Sequence, residues 1–512
     1  MTPEESAAAF RALQARLAGQ FERFRADPNQ PYTAVVIPSQ SVDTAELEKI
    51  EGVAHYEERA LFNLMLLRRP RQRVVFVSSK RLNPLVVDYY LHQMRGVPAA
   101  HARRRLVMLD CDDASPRPLT QKILERPRLL ARIREAIGDP HRAHLNVFNS
   151  SPLERELSLA LDIPLSATDP DLVGYGSKTG SRGVFREAEL RMPPGREGLR
   201  DVEDLAEGVA ELWAEYPDQE RVVVKLNDSF SGEGNAILDL RPLAEHLGSN
   251  PSAATRRAAV HRGLHHLALE APDIGVDAYR AQFDHMGGVC EAWIEGPGKR
   301  SPSAQLRINP LGEVQSVSTH DQVLGGRSGQ VFLGATFPAE PAYRLEIQAM
   351  GRRVGEVLSS RGVIGRFGVD FLVVPYESGE LDIYAVEINL RQGGTTHPFN
   401  TLKLLTDGTY DEGTGTFYTT QGQPRAYFAT DCLSSPKYRG LMPFDLLDRL
   451  VLEGMSFRAN ETGALFHLLG CLSEFGKLGC VCVEETVDEA RALYLQVVEM
   501  LDTMASEGAD QR

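Results

Sequence analysis

The sequence has few cysteines, and none is spaced to signal a scaffold. The six, Cys111, Cys290, Cys432, Cys471, Cys480 and Cys482, include no CxxC pair, which argues against the common zinc and redox spacings and leaves buried free thiols as the expected state. Cys480 and Cys482 alternate with valines, as a buried strand would. Long apolar runs are missing too, since nothing approaches the roughly 18 residues of a membrane-crossing helix. The start, Met1-Thr-Pro-Glu-Glu, has no basic region ahead of an apolar core, so a cytoplasmic location is expected. There is no basic excess. A formal net charge of -14 and a pI near 5.5 argue against nucleic acid or an anionic membrane as the main partner, because phosphate surfaces reward basic ones. Any bound anion must be met by a local basic pocket.

The familiar signature loops are also absent. Gly174, Gly176 and Gly180 surround Lys178, but their order fits neither a Walker A loop nor GxGxxG, and the local pattern predicts a loop exposing Lys178 and Arg182. No GxSxG element accompanies His320-Asp321, which reads as a structural hydrogen bond or a turn. Repeats and low-complexity tracts are lacking, and the Gly/Thr-rich residues 407–422 are the most linker-like stretch.

What is present is the composition of a folded protein, 42% hydrophobic and 25% charged over 512 residues, long enough for about two or three domains. Helical spacing over 3–24, 58–67, 84–94 and 119–137 alternates with strand-like runs over 34–37, 74–77, 106–109 and 144–148. That alternation predicts an open α/β domain, whose role stays open between a scaffold and substrate selection or an interface. A smaller α/β segment follows residue 421, with strands over 426–428 and 479–483 and helices over 444–452, 464–475 and 487–501.

Between these flanks lie three motifs with chemical content. An apolar strand, Arg221-Val-Val-Val-Lys225-Leu, leads into the small-residue loop Ser229-Phe-Ser231-Gly232-Glu-Gly234-Asn235. Such a loop lets backbone N–H groups approach phosphate oxygens while the lysine adds a point charge; an ordinary hairpin with an exposed lysine is the alternative. In Glu291-Ala292-Trp293-Ile294-Glu295, carboxylates flank apolar residues able to hold a flat base, although a tryptophan in a strand is more often core. The third motif is a hairpin with strands over 369–374 and 383–388 and a turn at Glu377, Ser378 and Gly379. Glu387 and Asn389 share a strand face, and Asp370 stands on the neighbouring strand about 5 Å away. Oxygen donors of this kind suit magnesium, which completes its shell with water and nucleotide phosphates. Arg391 follows on the same alternation.

In this order the motifs resemble the ATP-grasp superfamily, over about residues 169–399. The flanks, with Val74-Val-Phe-Val-Ser-Ser-Lys-Arg-Leu-Asn-Pro, Ile123-Leu-Glu-Arg-Pro-Arg-Leu-Leu, Gly176-Ser-Lys-Thr-Gly-Ser-Arg, Gly463-Ala-Leu-Phe-His-Leu-Leu and Gly476-Lys-Leu-Gly, are similar to the pheganomycin-type peptide ligases. The resemblance implies an N-terminal α/β domain (1–165), a two-lobed α+β nucleotide core (166–422) and a small C-terminal α/β domain (423–512). It further implies ATP-dependent joining of a small carboxylate to an amine, amino acid or peptide through an acyl phosphate, with magnesium, or manganese in its place. Lys178 and Lys225 then contact phosphates, Ser229, Ser231, Gly232, Gly234 and Asn235 form the covering loop, and 291–295 hold adenine and ribose, with the ribose carboxylate open between Glu291 and Glu295. Asp370, Glu387 and Asn389 bind the metal. Arg391 and Lys225 serve the transferring phosphoryl group, and Arg366 either reaches this centre or forms a surface ion pair. A thiol or non-peptide acceptor, a non-catalytic nucleotide-binding scaffold and a homo-oligomer stay open.

Overall fold

A computed structural model describes residues 2–228, 232, 234–248, 251–271, 274–325, 331–376 and 378–510. Its N-terminal sheet is wholly parallel, in the order Leu106–Asp110, Gln72–Ser78, Tyr32–Ile37, Ala143–Val147. Parallel strands are buried on both faces and read as continuous apolar runs. Accordingly Val35, Ile37, Val75 and Val77 pack on one side with the helix Pro127–Ile137, while Val36, Val74 and Phe76 pack on the other. The helical stretch expected over 119–137 is two helices, Leu119–Leu124 and Pro127–Ile137, because Pro127 disfavours a helical Arg126 before it. Residues 58–67, expected to be helical, lie within the longer 3-10 helix Val53–Arg68.

Two antiparallel sheets make up the rest. A five-stranded sheet runs Gly195–Leu199, Gly288–Ala292, Arg221–Leu226, Asn235–Asp239, Ala268–Leu269. It is covered on one face by the helix Val202–Glu215, which buries Leu205, Val209, Leu212 and Trp213 against Val222, Val224 and Leu226. A ten-stranded sheet begins with the hairpin Gly365–Pro375 and Leu381–Asn389 and continues through Pro302–Ile308, Val314–Gly325 and Val331–Phe337. The strand Pro424–Ser434 then pairs with Val331–Phe337 and with Lys477–Glu484. The boundary expected at 423 therefore divides one sheet rather than separating two.

The core agrees with that continuity. Phe76 and Leu91 of the N-terminal part share a cluster with Phe337, Phe399, Tyr427, Phe466 and Val481. Phe337 stacks on Tyr427 with ring centroids 5.2 Å apart and meets Phe399 edge-on at 5.4 Å. Aromatic pairs of this kind add about 0.5–1.5 kcal/mol each beyond area burial, so the junction of the first and last parts is built like a core.

Two local expectations change. Residues 464–467 belong to the strand Gly463–His467, and only Leu469–Phe475 is helical; Leu468, at φ 56°, turns the chain between them. The linker-like 407–422 contains the short strands Thr409–Asp411 and Thr416–Tyr418, which extend the large sheet. Among the described residues no helix is long and apolar enough to cross a membrane. Five of the cysteines are buried as free thiols, whereas Cys432 is exposed.

Candidate active site

The strand alternation of the small sheet explains a lysine inside an apolar run. Val222, Val224 and Leu226 enter the lobe's core, so Val223 and Lys225 point the other way and line a cleft of about 920 Å³ between the two antiparallel sheets. Lys225 Nζ lies 2.6 Å from Glu291 Oε2. The second oxygen of Glu291 accepts from Arg182 Nη1 at 2.8 Å. Glu291 is buried, and burial alone would raise its pKa; Lys225 and Arg182 outweigh that and hold it below the usual value. Glu291 thus braces Lys225. Glu295 is exposed and paired with Arg221 at 2.5 Å, outside the cleft wall. Neither carboxylate is presented unpaired to a ribose.

Lys178 and Arg182 are not on an exposed loop. Both are buried on the helix Lys178–Glu187, capped by Ser177 Oγ accepting from the Gly180 N–H. A side chain at residue 180 would place its Cβ 2.0 Å from the Gly174 carbonyl oxygen, so glycine permits the tight entry into this helix. Val184 and Phe185 dock the helix into the large lobe's core, and the Ile388 N–H donates to Ser181 Oγ at 3.0 Å. That docking brings Lys178 Nζ to 2.5 Å from Glu387 Oε1. Arg182 tolerates burial because Glu291 and Glu197 flank it.

The hairpin presents its polar set as alternation requires. Val369, Phe371 and Ile388 enter the core, and Asp370, Glu387, Asn389 and Arg391 line the cleft. Asp370 sits directly across from Glu387, and the register slips just beyond them. Asn389 Nδ2 donates to Asp370 Oδ2 at 3.0 Å, and Gln322 Nε2 donates to Oδ1 at 2.9 Å. Burial, reinforced by the neighbouring Glu387 charge, pushes Asp370 up to about 7. Burial also disfavours charge on Glu387, but Lys178 outweighs it and holds this carboxyl low. Three oxygen-bearing side chains, two of them carboxyls crowded on one face, form a donor set suited to a hard divalent cation. Gln322, which lines the cleft and donates to Asp370 beside this set, was missed by sequence reasoning because its strand carries no motif.

Gly232, Asn235, Ala292, Trp293 and Ile294 also line the cleft. Gly232 takes φ 81°, Asn235 N–H donates to its carbonyl at 3.0 Å, and Gly234 C=O accepts from Leu226 N–H at 3.1 Å. Ser229 and Ser231 lie outside the described residues. Lys299, also unforeseen, donates to the Ile294 carbonyl at 3.0 Å and lies 4.5 Å from the Trp293 ring centroid. Arg366 is not brought to this cleft: it opposes Arg307 across the sheet, lines a separate small pocket and donates to Asn400 Oδ1 at 3.3 Å. Its position four residues before Asp370 on one strand keeps it away from the acidic pair. His320 and Asp321 are structural, on opposite faces of a strand, with His320 Nε2 2.6 Å from the Tyr427 hydroxyl and Asp321 accepting from Tyr343 at 2.6 Å.

The far end of the cleft is walled by residues to which sequence reasoning gave no site role: Tyr56 and Arg59 from the N-terminal part, Asp431, Cys432 and Lys477 from the C-terminal part. Asp431 accepts from Arg59 Nη1 at 2.7 Å, and its other oxygen lies 2.6 Å from His467 Nε2. His397 completes a buried trio whose donor atoms all lie within 4.8 Å of one another.

Residues 172–264 and 276–413 match a family model described as IQCH-like, ATP-grasp, and residues 445–497 match the PGM1 C-terminal domain. In fold, the chain resembles biotin carboxylase of Campylobacter jejuni in its β,γ-ATP complex, with a TM-score of 0.54 at 13% identity, covering 94% of this chain and 96% of that one. It also resembles the ADP complex of N5-carboxyaminoimidazole ribonucleotide synthetase, with a TM-score of 0.50 at 13% identity over 92% and 98% of the two chains. The architecture is therefore that of an ATP-grasp protein. L-propargylglycine–L-glutamate ligase of Streptantibioticus cattleyicolor is 31% identical over 465 residues, 89% of this chain and 91% of that protein. IQ motif-containing protein H of Danio rerio is 25% identical over 418 residues, 74% of this chain and 39% of that protein. The chain belongs to the ATP-grasp ligases, enzymes that form a carbon–nitrogen bond.

Proposed function

We propose that the cleft joins the carboxylate of one small molecule to the amine of another, at the expense of ATP, and that both substrates are amino acids or short peptides. The observation that carries this reading is the set of Asp370, Glu387 and Asn389 on one wall of the cleft that Lys225 faces from the other sheet. The 31% identical relative supports amino-acid substrates, being named for a ligase of L-propargylglycine and L-glutamate.

In this reading Trp293 and Ile294 flank adenine, Lys178 and Lys225 contact phosphate oxygens, and Gly232, Gly234 and Asn235 edge the phosphates together with Ser229 and Ser231. Asp370, Glu387 and Asn389 hold magnesium, with manganese as the substitute. Such a cation supplies charge neutralisation at the phosphates when bound. Arg391 orients the reacting carboxylate, whose own charge would otherwise repel it from the γ-phosphate. The carboxylate oxygen takes the phosphoryl group and ADP departs. The amine nitrogen then bonds to the acyl carbon as the carbon–oxygen bond to phosphate breaks; phosphate leaves with the bonding pair and the nitrogen gives up a proton. No covalent enzyme nucleophile is needed. The parts 1–165, 166–422 and 423–512 each contribute a wall, the first and last enclosing the substrates. The chain's negative charge supports small-molecule partners over nucleic acid or membrane.

The test is release of ADP and phosphate that requires both an acid and an amine, from a panel of α-amino acids offered pairwise, with products read by mass spectrometry. Persistent absence of turnover across the panel would favour a nucleotide-binding scaffold, and thioester products would favour a thiol acceptor.

A further inference from the structure

The lysines at the two ends of the cleft differ in whether their charge is answered. At the phosphate end Lys178 and Lys225 each have a carboxylate, Glu387 and Glu291. At the other end, Arg59 and Lys477 both lie against Tyr56, with Arg59 Cζ 4.6 Å and Lys477 Nζ 5.0 Å from its ring centroid. Arg59 comes from the 3-10 helix Val53–Arg68 and Lys477 from the start of the strand Lys477–Glu484, so the pair exists only because the first and last parts of the chain pack together. The carboxylates lining this end are already engaged. Asp431 accepts from Arg59 and bonds His467, Glu46 pairs with Lys49 at 2.6 Å, and Glu51 pairs with Arg439 at 3.3 Å. Among the described residues no carboxylate lies within ion-pair distance of Lys477. Arg391, between the acidic pair and this corner, feels the charge of Arg59 as well as those of Glu387 and Asp370. The corner therefore carries surplus positive charge facing the cleft.

An acyl-transfer site has two carboxylates to consider. The donor's reacts and loses its charge, so it suits Arg391 beside the phosphates. The acceptor must aim its amine at the acyl carbon, and a carboxylate on that molecule stays ionised throughout and lies away from the reacting nitrogen. A permanent cation at the far end is what such a group requires. We infer that Arg59 and Lys477, beside Tyr56, bind the free carboxylate of the amine-bearing substrate, so that the acceptor is an α-amino acid or a peptide with a free C-terminus. This assignment rests on the ligase reading above. The carboxylate is held and not consumed, so the bond changes of the reaction are unaltered.

The experiment takes the most active pair from the amino-acid panel and compares its acceptor with the matching α-carboxamide, in the wild type and in Lys477→Met and Lys477→Arg, with folding checked by thermal melting. The wild type should use the carboxamide about 100-fold less efficiently in kcat/KM. Lys477→Met should cut kcat/KM for the free acid about 10- to 100-fold, mainly through KM. It should leave the carboxamide rate and the KM for ATP nearly unchanged, and Lys477→Arg should keep the preference for the acid. Equal use of acid and amide by the wild type, or equal loss of both in Lys477→Met with KM for ATP unmoved, overturns the carboxylate assignment while the ligase reading stands. No turnover with any pair overturns both.

Discussion

Two clusters in one cleft contain buried carboxyls, and they resolve the cost of burial in opposite ways. On the hairpin, Asp370 has hydrogen-bond donors in Asn389 and Gln322 but no ion-pair partner among the described residues, and burial with the nearby Glu387 lifts it to about 7. At the junction, Asp431 is also buried, yet Arg59 and His467 occupy its two oxygens. Burial would raise Asp431, but His397, Arg59 and His467 outweigh it and hold the carboxyl well below its usual range. Asp431, answered by the protein, acts as a brace, whereas Asp370, left short of positive charge, is suited to a cation. The contrast also decides how the trio of His397, Asp431 and His467 should be read. Burial pushes His397 well below the ordinary imidazole value, so its ring is a neutral donor of the kind metals use. However, the guanidinium 2.7 Å from Asp431 already supplies the cation. With Arg59 the trio joins three parts of the chain, and it needs no ion.

The largest expected effect comes from removing the carboxyl that pairs with Lys178. Glu387→Ala should lower kcat/KM for ligation on the order of 10⁴-fold and abolish magnesium-dependent nucleotide binding, with the far-ultraviolet spectrum unchanged. Near-normal turnover would remove Glu387 from the reaction centre. The junction should respond the other way. Asp431→Ala leaves Arg59 and His467 without their shared partner and should cost about 3–5 kcal/mol of stability, measured as a lower midpoint of chemical denaturation. A loss below about 1 kcal/mol together with a collapse of activity would make Asp431 a substrate contact and erase the distinction.

The two clusters were not equally legible in the sequence. The hairpin could be read because its chemistry is local: Glu387, Asn389 and Arg391 repeat at strand spacing, and one turn brings Asp370 opposite. Lys225 was legible for the same reason, a charge inside a valine run. Lys178 and Arg182 were misjudged as exposed because what buries them, Glu387, Glu291 and Glu197, is supplied from elsewhere in the chain. The junction was invisible, since Arg59 meets Asp431 across 372 residues and no local spacing brings the two together. The short helix over 469–475 was overextended because the Ala464-Leu-Phe ahead of it is apolar, and a short apolar run does not distinguish strand from helix. Gly479 gives the other half of that story: a Cβ there would lie 2.0 Å from His467 Nε2, so the glycine makes room for the imidazole on the neighbouring strand.

A third carboxyl sharpens the comparison, because it has neither a strong cation nor a place on the main cleft wall. Glu58, 1% exposed, accepts from the Gly470 N–H at 3.0 Å, and its nearest basic group is His55 at 3.9 Å. Burial lowers the pKa of His55, so it offers little charge in return. Burial pushes Glu58 up to about 8, and its neighbour Glu57 up to about 7. Both groups hold a proton in the fold that the unfolded chain releases near pH 4.5. Their contribution to stability is therefore complete below that value, falls as pH rises, and is exhausted above about 8. Each unit of raised pKa corresponds to about 1.4 kcal/mol, so Glu58 alone should account for a fall on the order of a few kcal/mol. Urea titrations of the ligand-free enzyme from pH 5 to 9 should show it, and Glu58→Gln, which carries no ionisable proton, should flatten the slope while keeping an acceptor for Gly470. An unchanged slope in Glu58→Gln would mean that Glu58 is ionised in the fold and that the junction, like Asp431, finds it a cation.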